Sequence, residues 1–131
     1  MRGYTDNIEK ETLENSNFRK VLYTSKYSQL VVMSLKPGEE IGAEVHDTHD
    51  QFFRFEAGEG KVVLDGVEHM VKDGDAAIAA AGMNHNVVNT GETELKLYTI
   101  YSPAEHRDGV VHATKAEAEA DDEEFDGTLS E

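Results

Sequence analysis

The sequence predicts an all-β domain, a sandwich or barrel of short strands, and three observations carry that expectation. From Asn17 to Tyr101 short runs rich in Val, Ile, Leu, Tyr and Phe alternate with Gly, Asp and Pro turns, the rhythm of antiparallel strands. The dipeptide Asp65-Gly66 stands between Lys-Val-Val-Leu and Val-Glu-His-Met. It is a strong hairpin signal, because a type I′ turn needs positive φ at both central residues. The length of 131 residues suits one core, large enough to be stable without a disulfide or a partner.

Taken in order, residues 1–16 read as a short irregular N-terminal arm and 17–102 as the barrel, while 103–131 form a C-terminal loop, helix and acidic tail. Nine strands are expected in the barrel: 18–24, 29–35, 40–45, 51–57, 61–64, 67–71, 76–79, 86–89 and 95–101. They are separated by turns such as Lys36-Pro37-Gly38 and Thr90-Gly91-Glu92. After Ala113 the β-branched residues give way to Ala, Glu and Asp. Thr114 followed by Glu117 fits a capping box, so a helix is expected to begin there, docked weakly through alanines. The last six residues, from Asp126, are expected to fray.

Composition narrows the function classes. With no cysteine, a disulfide framework, a thiolate metal site and a cysteine nucleophile are all excluded, so any metal must sit on nitrogen and oxygen. The net charge is −15, and the segment Glu117–Glu131 carries eight acids and no base. That leaves 19 acids against 12 bases in residues 1–116. Neither half has the clustered Lys and Arg that nucleic acid or an anionic membrane requires. The first residues lack the apolar stretch of a signal peptide and no window approaches a membrane span, so a cytoplasmic protein is expected.

Glu44 and His46 are two residues apart, and residues at that spacing in a strand point to one face. If the strand at 40–45 runs on through His46, both side chains enter the interior. Gln51 then opens the returning strand after the turn Asp47-Thr48-His49-Asp50, and His85 supplies a fourth ligand after Ala81-Gly82-Met83-Asn84. One divalent ion on Glu44, His46, Gln51 and His85 is the expectation. Gln51 ligates either directly or through a hydrogen bond to a ligand or water.

These residues resemble the cupin family. Its first motif is Gly, five residues, His, one residue, His, three or four residues, Glu, six residues, Gly. Gly38, Glu44, His46, Gln51 and Gly58 fill those places in register. The second motif is Gly, five residues, Pro, one residue, Gly, two residues, His, three residues, Asn, matched by Gly74, Ala80, Gly82, His85 and Asn89. The resemblance implies a double-stranded β-helix, or jelly-roll barrel, with a metal inside and a homodimer formed through a sheet face. The ligand set also looks like the Gln, His, Glu and His of mannose-6-phosphate isomerases, with the Gln and Glu positions exchanged. Here Glu replaces the first His, Gln replaces the Glu and Ala replaces the Pro. Two histidines with one carboxylate suit zinc, iron, manganese or nickel, so the metal stays open.

The fold admits several functions. A metal-dependent enzyme on a small polar molecule is one reading, either a sugar isomerase or epimerase or a dioxygenase. A non-catalytic small-ligand-binding module is another. A structural or storage protein is disfavoured, having no need of the ligand quartet.

The remaining histidines read as less involved: His49 as a water-facing turn residue and His69 as a surface or cross-strand residue. His106 and His112 belong to a loop that either stays on the surface or folds over the barrel mouth. Phe53 and Phe55 share the inward face, Phe52 the outward one, and Tyr98 and Tyr101 serve either the pocket or barrel packing. Only Arg2, Arg19, Arg54 and Arg107 could clamp an anion bidentately, and Arg54 is out of phase with the inward face. A sugar phosphate needs such a cation. Unless Arg19, Arg107 or a lysine reaches the mouth, a neutral or singly charged ligand is expected to bind better than a phosphorylated one.

Overall fold

A computed structural model describes all 131 residues. Ten strands and two helices follow in the order α1 (Ile8–Glu14), β1 (Arg19–Thr24), β2 (Gln29–Leu35), β3 (Glu44–Val45), β4 (Asp50–Ala57), β5 (Glu59–Leu64), β6 (Val67–Lys72), β7 (Ala76–Ala79), β8 (Asn84–Asn89), β9 (Leu95–Ser102), β10 (Val111–His112) and α2 (Lys115–Ala120). Two antiparallel sheets face each other, a six-stranded one in the order β10-β1-β2-β9-β4-β7 and a four-stranded one in the order β3-β8-β5-β6. This is the expected jelly roll.

Alternation along the strands builds the core. Val31, Met33, Leu35, Phe53, Phe55, Leu95 and Leu97 come from the larger sheet and meet Val62, Val71 and Val87 from the smaller one. Phe53 and Phe55 therefore point inward with Gln51, while Phe52 and Arg54 point outward, where Arg54 pairs with Glu56 at 3.2 Å. The β5–β6 hairpin turns through Asp65 (φ 47°) and Gly66 (φ 81°), both in the left-handed region that a type I′ turn demands. Gly58 is required for a different reason, since at φ 86° a Cβ there would lie 2.5 Å from the Glu94 carbonyl oxygen.

Four expectations need correction. Residues 8–14 are helical rather than an irregular arm, because the Asn7 side chain accepts from the Lys10 N–H at 3.0 Å and caps a first turn carrying Glu9 and Glu11. This helix packs on the outer side of the large sheet, against β2, β4 and β9. The strand expected over 40–45 shrinks to Glu44–Val45, with only a bridge from Glu40 to Val88 before it, so His46 lies just past its end. Val111–His112 forms a further strand on β1, which the Arg-Asp-Gly loop before it conceals in the sequence. The terminus is tied down rather than frayed. The Ser130 N–H donates to the Thr24 carbonyl at 2.9 Å, and the Glu131 carboxylate takes the Gly3 N–H and the Tyr23 hydroxyl.

The C-terminal helix begins where expected, with Thr114 as N-cap accepting from the Glu117 N–H at 3.2 Å. Glu117 reaches back to the Ala113 N–H at 2.8 Å. No helix of the chain is long and apolar enough to cross a membrane.

Candidate metal centre

Strand pairing brings the two sequence motifs together. Glu44 on β3 stands directly across from His85 on β8, so their side chains share a face. His46 follows in the next turn, its carbonyl accepting the Gly82 N–H at 2.9 Å, and its ring centroid lies 5.1 Å from that of His85. Glu44, His46 and His85 each bring one potential ligand atom within 4.8 Å of the others.

The details favour a shared third point over mutual pairing. Glu44 Oε2 and His46 Nε2 are 2.8 Å apart, yet the buried nitrogen has no partner in hydrogen-bonding geometry. His85 Nδ1 lies 3.2 Å from the Met83 carbonyl oxygen, which can only accept. That contact places the proton on Nδ1 and frees the Nε2 lone pair, the usual arrangement of a metal-binding histidine. Burial alone would raise the Glu44 carboxyl, but the adjoining His46 ring, with Arg19 and His85, holds it below its ordinary value. The Glu44 carboxylate in turn lifts His46 against the effect of burial, aided by Glu105.

Gln51 is on the inward face of β4, 2% exposed, and opposite Tyr101 of β9. Its Nε2 donates to Thr99 Oγ1 at 3.0 Å, and that hydroxyl donates onward to the Phe52 carbonyl at 2.8 Å. Because the Thr99 proton is committed, the amide must offer its nitrogen there. Its buried oxygen is left without a partner. A buried amide oxygen in that condition is costly unless something accepts its lone pair.

Glu105 and Glu123 escaped the sequence reading, and the histidines beside them correct one expectation and decide another. His49 is not turned to water: its Nδ1 is 2.7 Å from Glu105 Oε2, and with His46 these residues form a second trio of potential ligands. His106 and His112 are both buried, because the segment after β9 folds over the barrel mouth. His106 Nε2 lies 3.2 Å from the Tyr101 hydroxyl, and its Nδ1 lies against Glu123. Burial, followed by Arg19, pushes His106 below its ordinary value despite Glu123, and burial pushes the Tyr101 phenol up. His69 is exposed on edge strand β6, as expected, and Tyr98 faces outward against Phe52 with centroids 6.2 Å apart. An open cleft of about 240 Å³ beside Glu44 is walled by Phe18, Arg19, Ile41 and His106 and by the α2 segment. Arg19 thus reaches the site. The sequence names it only as one of four candidate anion clamps, since its place depends on β1 lying next to β10 and under the C-terminal segment.

The cupin domain model matches residues 31–101, which include both motifs and all four candidate ligands. This chain belongs to the cupin family. It is 46% identical over 125 residues to YrkC of Bacillus subtilis (strain 168), covering 91% of this cupin and 67% of that protein. The crystal structure of BH2720 from Bacillus halodurans superposes with a TM-score of 0.90 at 44% identity, covering 92% of this chain and 96% of that one. More distant relatives are the pectin degradation protein KdgF of Dickeya dadantii (strain 3937), 31% identical over 79% of this chain and 94% of that protein, and an oxalate-binding protein of Thermotoga maritima, 29% identical over 76% and 79%.

Proposed function

We propose that this cupin holds one divalent ion on Glu44, His46, His85 and the Gln51 amide oxygen, and that the centre serves an enzyme acting on a small polar molecule. The observation that carries the reading is the convergence of Glu44, His46 and His85, with Glu44 and His46 at 2.8 Å but outside hydrogen-bonding geometry. Zinc, iron, manganese and nickel all suit two imidazoles with oxygen donors. Bound there, the metal supplies a Lewis acid that polarises a carbonyl or hydroxyl oxygen.

The residues around it are equipped to handle a proton. Glu123, His106 and Tyr101 form a chain leading inward, with Tyr101 stacked edge-on to His46 at 6.1 Å between centroids. Such a chain favours isomerase or epimerase chemistry, which moves protons, over the dioxygenase alternative. The second reading is a non-catalytic small-ligand module; the relative that binds oxalate is what favours it. A cytoplasmic location and a homodimer belong to the same proposal, the latter through the outer face of the large sheet. There Ile78 is 62% exposed beside its cross-strand neighbour Phe52.

Elemental analysis of gently purified wild-type protein and of His46→Ala tests the centre. Close to one ion per chain is expected in the wild type and a marked loss in the variant, whereas equal content in both would refute the assignment.

A further inference from the structure

The cleft beside Glu44 contains one buried cation that no carboxylate pairs directly, although it acts at longer range on Glu44 and Glu123. Arg19 opens β1 and is 8% exposed, yet no carboxylate lies within 4.0 Å of it. Its Nε is buried without a partner. Its Nη1 makes a long contact, 3.4 Å, to His112 Nδ1, and its guanidinium carbon lies 5.3 Å from the Phe18 ring centroid. Most of its five donors are therefore unused. Burying a cation in this way is unfavourable unless an anion joins it.

Every other charged group lining the cleft has a nearer polar neighbour than Arg19. Asp121 lies 3.0 Å from His112 Nε2 and 3.9 Å from Arg107. Glu123 engages His106 and, at 2.7 Å, the Arg107 N–H. Lys115 faces Glu119 at 3.8 Å, and Glu44 faces His46. The His112–Asp121 contact also fixes the tautomer: Nε2 donates to Asp121, so Nδ1 accepts from Arg19. His112 is thereby a positioning residue for the guanidinium.

We infer that Arg19 is the anchor for one carboxylate of a small ligand that occupies this cleft. A planar guanidinium fork matches the two oxygens of a carboxylate. A doubly charged phosphate would face one unmatched positive charge among walls that also carry Glu44, Glu119, Asp121 and Glu123. The inference rests on the metal reading in one respect: the remaining oxygen of the ligand is presented toward Glu44 and the ion it helps to hold. It narrows the substrate class from small polar molecules to small monocarboxylates.

Calorimetric titration of the full-length, zinc-loaded protein tests it, with glycolate, its neutral isostere glycolamide, and inorganic phosphate as probes, and with metal content measured in every sample. Glycolate is expected to bind at least tenfold more tightly than either comparison. Arg19→Met should lose at least tenfold in glycolate affinity with unchanged metal content, and Arg19→Lys, which keeps the charge but not the fork, should fall between. Without ligand, Arg19→Met should melt close to wild type, because relief of a buried guanidinium with an unpartnered Nε offsets the loss of its long contact to His112. A residue with a merely structural role would show the opposite, a lower melting temperature with glycolate affinity retained, and that result would overturn the inference. So would equal binding of glycolate and glycolamide, tighter binding of phosphate, or no glycolate binding at millimolar concentration. Arg19-dependent glycolate binding in protein that takes up no metal would uphold Arg19 and sink the metal centre. Full metal content with glycolate affinity insensitive to both Arg19 variants would do the reverse.

Discussion

Replacing Gln51 by leucine separates a ligand from a structural amide. The substitution keeps a side chain of similar size, removes the hydrogen bond from Nε2 to Thr99 Oγ1 and removes the unpartnered oxygen. The lost bond costs about 0.5–1.5 kcal/mol, while deleting a buried acceptor with no partner relieves about 1–3 kcal/mol. Thr99 keeps its bond to the Phe52 carbonyl, so no new orphan is created at its proton. In metal-free protein Gln51→Leu should therefore be neutral to about 2 kcal/mol more stable, raising the melting temperature by up to about 8 °C at roughly 4 °C per kcal/mol for a domain of this size. With metal the order reverses. Each tenfold loss of metal affinity removes about 1.4 kcal/mol of linked stabilisation, so the metal-induced upshift should shrink by about 5 °C or more. Differential scanning calorimetry with and without zinc reads both effects. A metal-free variant destabilised by more than about 2 kcal/mol would mean that the oxygen has a structural partner. An unchanged zinc upshift would mean that it is no ligand.

Three further outcomes follow from the same geometry. In metal-free protein His46 should titrate above 6.5 and His106 below it, followed by proton NMR of each ring. With Glu44 depressed below 4.5, stability from the Glu44–His46 pair is complete between about 4.5 and 6.5. It is lost on the acid side as Glu44 protonates and on the alkaline side as the pH rises through the raised His46 value. Neutral His106 acts in the opposite sense, losing its contribution as the pH falls below 6.5, and a His46 titrating below 6.5 would contradict the assignment. Asn89→Ala should cost about 3 kcal/mol in urea denaturation, about 1 kcal/mol for each of three side-chain bonds of this buried residue, to the Leu35 and Thr93 carbonyls and the Gly91 N–H; a loss below about 1 kcal/mol would mean that water replaces them. Sedimentation equilibrium should show a dimer that Ile78→Glu dissociates, and a wild-type monomer at micromolar concentration would remove that proposal.

Legibility varied with the range of the interaction. The Asp65-Gly66 hairpin could be read directly, because positive φ at two adjacent residues is a local demand with few chemical solutions. Strand β2 and the inward face of Phe53 and Phe55 were legible from alternation alone. The first helix was missed although Asn7-Ile-Glu-Lys carries a local cap, since its short apolar face is meaningful only against the outer side of a sheet. The spacing argument needed the strand to run on through His46, but it stops at Val45; the turn holding His46 depends on the Gly82 N–H, 36 positions away.

Glu44, His46, Gln51 and His85 could be singled out because each motif fixes spacing within a few residues, and the Glu44–His85 pairing then joins the two motifs. The sequence by itself determined the all-β class, the Asp65-Gly66 turn and the inward face of β4, and it singled out this quartet as candidates, all consequences of chain periodicity and local backbone freedom. Only the tertiary structure decided which groups surround it. Arg19, Glu105, His106 and Glu123 come from the two ends of the chain, more than 15 positions from any of the four. Their proximity is set by β10 pairing with β1 and by the C-terminal segment closing over the mouth. Those contacts depend on the sum of many weak packing terms across the molecule, and no spacing rule in the chain encodes such a sum.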